Sequence, residues 1–185
     1  MAWETTLISN DCAYRDSNGY YCYAPVAKKL VADKKGNTYA LVAHLYTSEY
    51  EPVYINHYLY KLNSSGDRIR TFDLGNLSQD YYGVGIADVA VDGTGNIYAI
   101  NRQTVSNSPK DVIKKLYASG SQHWQRLSPV GTPYGITVTA AGNVYVIGST
   151  GMARLSNAGA LTWTKTGTSY AVSEFSQRDR KVVLG

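Results

Sequence analysis

The chain has 185 residues and a mass of 20.3 kDa; its 44% hydrophobic and 17% charged residues supply a core and exclude intrinsic disorder. A net charge of +4, dispersed along the chain, excludes an obvious nucleic-acid footprint, and no run approaches the roughly 18 apolar residues of a membrane helix. Seventeen Tyr against two Phe and two Met, with abundant Ser, Thr, Asn and Gly, favour strands and turns over helices.

Met1-Ala-Trp-Glu4 has no basic segment followed by an apolar one, so the expectation is a chain without a secretory leader, synthesised in the cytoplasm. Ala2–Ile8 has the look of a strand, and Cys12 and Cys22 then flank a hairpin around Asp16-Ser-Asn-Gly19. A two-residue Asn18-Gly19 turn leaves Cys12 out of register with Cys22, whereas a longer turn sets them opposite each other. Without a leader, reduced thiols are favoured over a disulfide.

From residue 25 onward one plan recurs. Lys29–Leu41, Asp88–Ile100 and Gly135–Ile147 each read as a strand, a tight turn ending in Gly-Asn, and a second strand. The Gly-Asn pairs begin at Gly36, Gly95 and Gly142. Asp33 and Asp92 stand three residues before the glycine, as a type I turn favours; Thr139 in the third copy makes the same bond more weakly. A second block follows as Leu59–Gly66, Ile113–Gly120 and Met152–Gly159. Four residues beyond the last two glycines stand Trp124 and Trp163, where the first copy has Arg70. Each unit is therefore four strands long. The plan divides 1–185 into a D-type strand plus extra hairpin (1–24), three blades (25–77, 84–130 and 132–168) and a half blade (170–185).

A four-stranded unit of about 40–50 residues is the size of a propeller blade. The block basic–Leu–x–x–(Ser/Ala)–Gly–x–x–x–Trp, following Asp–x–x–Gly–Asn–x–Tyr, resembles the bacterial β-propeller repeats called SBBP. It is more distantly similar to NHL and quinoprotein-type blades. The resemblance implies an all-β, propeller-like array of four-stranded antiparallel blades, and no shared catalytic residue. Three blades plus one shared by the termini would form a small closed ring, or a propeller completed by oligomerisation, since unpaired edges leave backbone groups unsatisfied.

Length variation concentrates at one end of the units. The connections Tyr46–Tyr58 and Asn101–Asp111, the crossing Asp73–Tyr82 and the N-terminal segment from Asn10 to Pro25 all fall there, and loops on a rigid scaffold carry contacts. The candidate interaction residues are Tyr46, Tyr50, Tyr54, His57, Tyr81, Tyr82 and Arg102, because Tyr couples a large apolar face to a polar tip. Tyr39, Tyr98 and Tyr145, recurring inside the second strand, are expected in the core, and Trp124 and Trp163 between blades.

Catalytic and metal patterns are weak. His44, His57 and His123 form no metal-like pair, and no His-Glu-x-x-His, phosphate-loop, calcium-loop or Gly-x-Ser-x-Gly pattern occurs. Asp92-Gly-Thr-Gly-Asn96 superficially has the form of a ligand loop, but its recurrence as Asp33-Lys-Lys-Gly-Asn37 marks a structural turn. The expectation is therefore no enzyme, cofactor or metal: a structural or interaction module working through protein partners, by self-association or in a larger assembly such as a virion. Glycan stacking on Tyr and Trp is the alternative.

Overall fold

The computed structural model describes residues 21–47, 54–77, 88–105 and 108–167. Among them every regular element is a strand, and the strands form three four-stranded antiparallel sheets, each a simple meander. The first sheet holds β1 (Tyr21–Ala32), β2 (Thr38–Thr47), β3 (Tyr54–Leu62) and β4 (Arg68–Leu77). The second holds β5 (Val89–Val91), β6 (Ile97–Val105), β7 (Ser108–Leu116) and β8 (Gln122–Leu127). The third holds β9 (Pro133–Val138), β10 (Val144–Gly148), β11 (Gly151–Leu155) and β12 (Leu161–Thr166). The fold is β-propeller-like, each sheet having the form of one blade. The chain divides into two compact units, Met1–Gly85 with the first sheet and Ile86–Gly185 with the other two.

The turn motif explains why each meander starts where it does. Asp33 Oδ1 accepts bonds from the Lys35 and Asn37 amides, at 2.8 and 3.0 Å. Its Oδ2 accepts from Asn37 Nδ2 and the Tyr39 hydroxyl, at 2.7 and 3.1 Å. Asp92 repeats the set with Thr94, Asn96 and Tyr98. The glycine supplies the left-handed residue that closes the turn, with φ of 79° at Gly36 and 89° at Gly95. One carboxylate thus satisfies the turn and anchors the following strand through its Tyr. Thr139 does less: its Oγ1 accepts from the Asn143 amide at 3.1 Å and leaves Tyr145 without that anchor. Thr139→Asp is accordingly expected to raise the unfolding free energy by about 1 kcal/mol in urea titration. An unchanged midpoint would contradict this reading of the motif.

In the first two sheets the second strand is the most deeply buried. Tyr39 to Val42 and Ile97 to Ile100 are each no more than 2% exposed, so both faces are covered and the strand reads as an apolar run. The fourth strands of the second and third sheets are mostly exposed, with half-buried positions that include Trp124 and Trp163, in keeping with the polar sequences Gln122–Leu127 and Leu161–Thr166. In the second unit Tyr98, Ile100 and Ile113 share one core with Ile136, Val144, Val146, Ala153 and Leu155 of the third sheet. Asp88 fastens the two sheets beside that core, its Oδ2 accepting the Ile136 amide at 2.9 Å.

Three connections are shorter than expected. β2 runs through Tyr46 to Thr47 and β3 begins at Tyr54, so pairing takes in most of the stretch Tyr46–Tyr58. β6 and β7 stay paired out to Val105 and Ser108, which reduces the connection Asn101–Asp111 to two residues. β4 likewise absorbs Asp73 to Leu77. The cause is common to all three: once a hairpin is in register, successive backbone pairs add bonds whatever the side-chain polarity.

Candidate functional site

A row of three side chains crosses each sheet at the same register. In the second sheet Tyr98 on β6 pairs with Lys115 on β7, which pairs with Trp124 on β8. In the third, Tyr145, Arg154 and Trp163 do the same across β10, β11 and β12. In the first, the row is Tyr39, Lys61 and Arg70. The internal geometry repeats closely. Tyr98 and Trp124 meet edge-on with ring centroids 6.3 Å apart, and Tyr145 and Trp163 at 6.2 Å. The cation lies over its Tyr ring at 5.4, 5.2 and 5.9 Å for Lys61, Lys115 and Arg154, within cation–π range.

What the row does is visible in the second sheet, where the turn between β11 and β12 lies on it. Lys115 Nζ donates to Asn157 Oδ1 and faces the Asn157 carbonyl at 3.4 Å. Trp124 Nε1 donates to the same carbonyl at 2.9 Å, and an Arg126 guanidinium nitrogen donates to the Gly159 carbonyl. The Tyr98 hydroxyl stands 3.1 Å from Asp92 Oδ2 and 3.3 Å from Asn157 Oδ1. The face of Trp124 lies against Gly159, so close that a Cβ there would fall 2.8 Å from the ring. The row is a receptor for a turn: its cation and indole bind a carbonyl, and its indole plane needs a glycine opposite.

Burial tunes the charges. Lys115 is only 3% exposed, and this desolvation lowers its pKa although the Asp92 charge pulls the other way. Burial pushes the Asp92 carboxyl up, but the bonds from Thr94 and Asn96 outweigh it and hold the group below the ordinary value of 3.8. Asp33 behaves likewise, burial being outweighed by bonds from Asn37, Lys35 and Tyr39. The Tyr98 hydroxyl is pushed far up by burial and by the adjacent Asp92 charge. Because both carboxyl pKa values are depressed in the folded state, their stabilisation is complete above the unfolded value and is lost as pH falls through the folded ones. Unfolding free energy is expected to decline below about pH 4, and the double variant Asp33→Asn/Asp92→Asn to flatten that acid limb. An acid limb unaltered in the double variant would contradict the assignment.

The candidate residues from the loop-rich end fall differently. His57 lies on β3 opposite Ala43 and is 2% exposed, so it is a buried strand residue and not a loop contact. Tyr46 and Tyr54 pair with each other at the end of the β2–β3 hairpin, and Arg102 pairs with Asp111 on β6–β7. The side chains of Tyr46, Tyr54 and Arg102, and the whole of Tyr50, Tyr81 and Tyr82, lie outside the described residues, as does the Cys12–Cys22 pairing. Among the described residues no group of three His, Cys, Asp or Glu side chains is placed to hold a metal ion. The sequence places Tyr98 in the core and Trp124 between blades but does not single out Lys115 or Asn157. Lys115 was legible as the basic residue before the block leucine; Asn157 was not, because Ser64 and Ala118 stand at its position in the other copies.

No family model matches the chain, and no curated protein matches it. Among solved structures the chain is similar to a gluconolactonase from Xanthomonas campestris, with 16% identity and a TM-score of 0.44. The match covers 80% of this chain and 48% of the other, so the chain spans about half the length of the structure it matches. That protein is an enzyme, and the finding corrects the expectation of a non-enzymatic structural or virion component with a glycan-binding alternative. The expectation rested on weak catalytic motifs within a blade repeat, and neither half of it is kept.

Proposed function

We propose that the protein works as a self-associated unit, in which the row on the third sheet of one copy receives another copy. One observation carries this reading. The Tyr–cation–Trp row of the second sheet is covered by a turn, whereas the equivalent row of the third sheet has the same internal geometry and no such turn among the described residues. Tyr98 is fully buried and its hydroxyl bonded, whereas Tyr145, under the Arg154 guanidinium, and Trp163 are half-buried. A prearranged aromatic and cationic surface of this kind suits a protein partner, because Trp, Tyr and Arg dominate the energetics of protein contacts. The repeated Asp–x–x–Gly–Asn–x–Tyr and Ser/Ala–Gly–x–x–x–Trp blocks support placing the blades with the SBBP type.

Sedimentation velocity over a range of concentrations tests the proposal. Concentration-dependent association is expected for the native chain. Replacing the half-buried edge residue, Trp163→Ser, should weaken it by about 30-fold or more while the circular dichroism and melting curve are retained. A native chain that sediments as a monomer at every concentration would overturn the reading.

A further inference from the structure

We propose that the Tyr98 hydroxyl is a two-position switch: with Asp92 ionised it bonds the turn of its own sheet, and with Asp92 protonated it bonds the Asn157 turn of the third sheet.

One hydrogen faces two acceptors. The Tyr98 hydroxyl stands 3.1 Å from Asp92 Oδ2 and 3.3 Å from Asn157 Oδ1, and it has a single hydrogen to give. Burial and the Asp92 charge push its pKa far up, so that hydrogen is retained in both positions of the switch. The side chain is 0% exposed, which confines the choice to these two groups. The ionised Asp92 Oδ2 can only accept, and its charge makes it the stronger acceptor, so it takes the hydrogen. Asn157 Oδ1 is then held by Lys115 Nζ.

Protonation of Asp92 reverses the pairing. Its Oδ1 accepts from the Thr94 and Asn96 amides and the Thr94 hydroxyl, so a proton there would displace a bond of the turn. A proton from solvent therefore settles on Oδ2. Of the two neighbours of Oδ2, Asn96 Nδ2 is a donor, and it keeps an acceptor in Thr94 Oγ1 at 2.9 Å. The partner left for the new O–H is the Tyr98 oxygen, which accepts it and turns its own hydrogen to Asn157 Oδ1. An amide oxygen has two lone pairs, so Asn157 holds the Tyr98 and Lys115 bonds together. The charged groups at this joint are Asp92 on the β5–β6 turn, Lys115 on β7 and Arg126 on β8; the turn Ser156–Ala160 carries none. Both cations keep their charge as pH falls, so Asp92 sets the switch. Its carboxyl lies below the ordinary value of 3.8, so the ionised position holds across the neutral range and the change comes as pH falls below that value. The stabilisation from the ionised carboxylate is lost in the same window, and the new bond to Asn157 offsets part of that loss.

Asp92→Asn fixes the protonated position at neutral pH. Its amide oxygen still accepts from the Thr94 and Asn96 backbone, which leaves the amide donor against Tyr98. Double-mutant cycles of Tyr98→Phe with Asn157→Ala, by urea unfolding at one protein concentration, read the bond between the two residues. The coupling, as a factor in the unfolding equilibrium constant, is expected to be about fivefold larger in Asp92→Asn than in the native background. A control cycle with Thr94→Val in place of Tyr98→Phe should show no such rise, because a loosened turn redirects no hydroxyl. Should Asp92→Asn not fold, the native-background cycle followed from neutral pH down through 3.8 is expected to show the same rise. Equal coupling in the two backgrounds, coupling that stays flat with pH, or a rise shared by Thr94→Val would each overturn the switch.

Discussion

Asp92→Ala is expected to lower the unfolding free energy by on the order of 3 kcal/mol, among the larger losses available from one surface-proximal turn. The carboxylate accepts from the Thr94 and Asn96 amides, the Thr94 hydroxyl, Asn96 Nδ2 and the Tyr98 hydroxyl. Removing it leaves the Tyr98 hydroxyl in a site where the side chain is 0% exposed, and removes the negative charge facing Lys115. Unpaired buried polar groups each cost about 1–3 kcal/mol, and a buried cation without its acid costs more. Asp92→Asn keeps the acceptor for the Thr94 and Asn96 amides but replaces Oδ2, which accepts from Asn96 Nδ2 and the Tyr98 hydroxyl, with an amide donor, so it should cost less than Asp92→Ala without being neutral. Asp67→Ala, at an exposed turn, should stay within about 0.5 kcal/mol of the native chain. Chemical denaturation of the three variants checks the order; equal losses at 67 and 92 would show that the Asp92 network contributes little.

Gly159→Ala is expected to cost roughly 2–4 kcal/mol, because two penalties coincide. Its φ of 83° is strained for any residue with a Cβ, and that Cβ would lie 2.8 Å from Trp124 Cδ2. Gly36→Ala separates the two terms: φ is 79° there, but no heavy atom lies within 4 Å of the added carbon. It should carry only the backbone cost, about 1 kcal/mol. The excess at 159 measures the contact of turn and indole between the second and third sheets. Tryptophan emission should shift on Gly159→Ala and stay unchanged on Gly36→Ala. Equal destabilisation of the two variants would mean that Trp124 moves aside freely.

The parts of the fold legible in sequence were those set by local chemistry repeated three times. Asp33 and Asp92 three residues before a glycine specify a turn through bonds confined to a few residues, and the structure has those bonds. Thr139, the weaker acceptor by its chemistry, satisfies one amide where Asp92 satisfies two. Strand ends were not legible in the same way. Gln103, Thr104 and Val105 have the composition of a loop, yet they pair with Lys110, Pro109 and Ser108 because hairpin register, once begun, propagates through the backbone. His57 sits in an equally loop-like stretch, yet it is a buried strand position for the same reason. The docking row was half legible. Its aromatic members recur, but what lies on them depends on Asn157, a residue 42 positions from Lys115 that occurs in one copy alone.

The Tyr98–Lys115–Trp124 row of the second sheet and the Asn157 turn of the third are held together as one joint. A double-mutant cycle on unfolding free energy, with Lys115→Met and Asn157→Ala, tests it most directly. A coupling of about 1–3 kcal/mol is expected, the double variant losing clearly less than the two singles combined. Additivity of the two losses to within about 0.3–0.5 kcal/mol would contradict it.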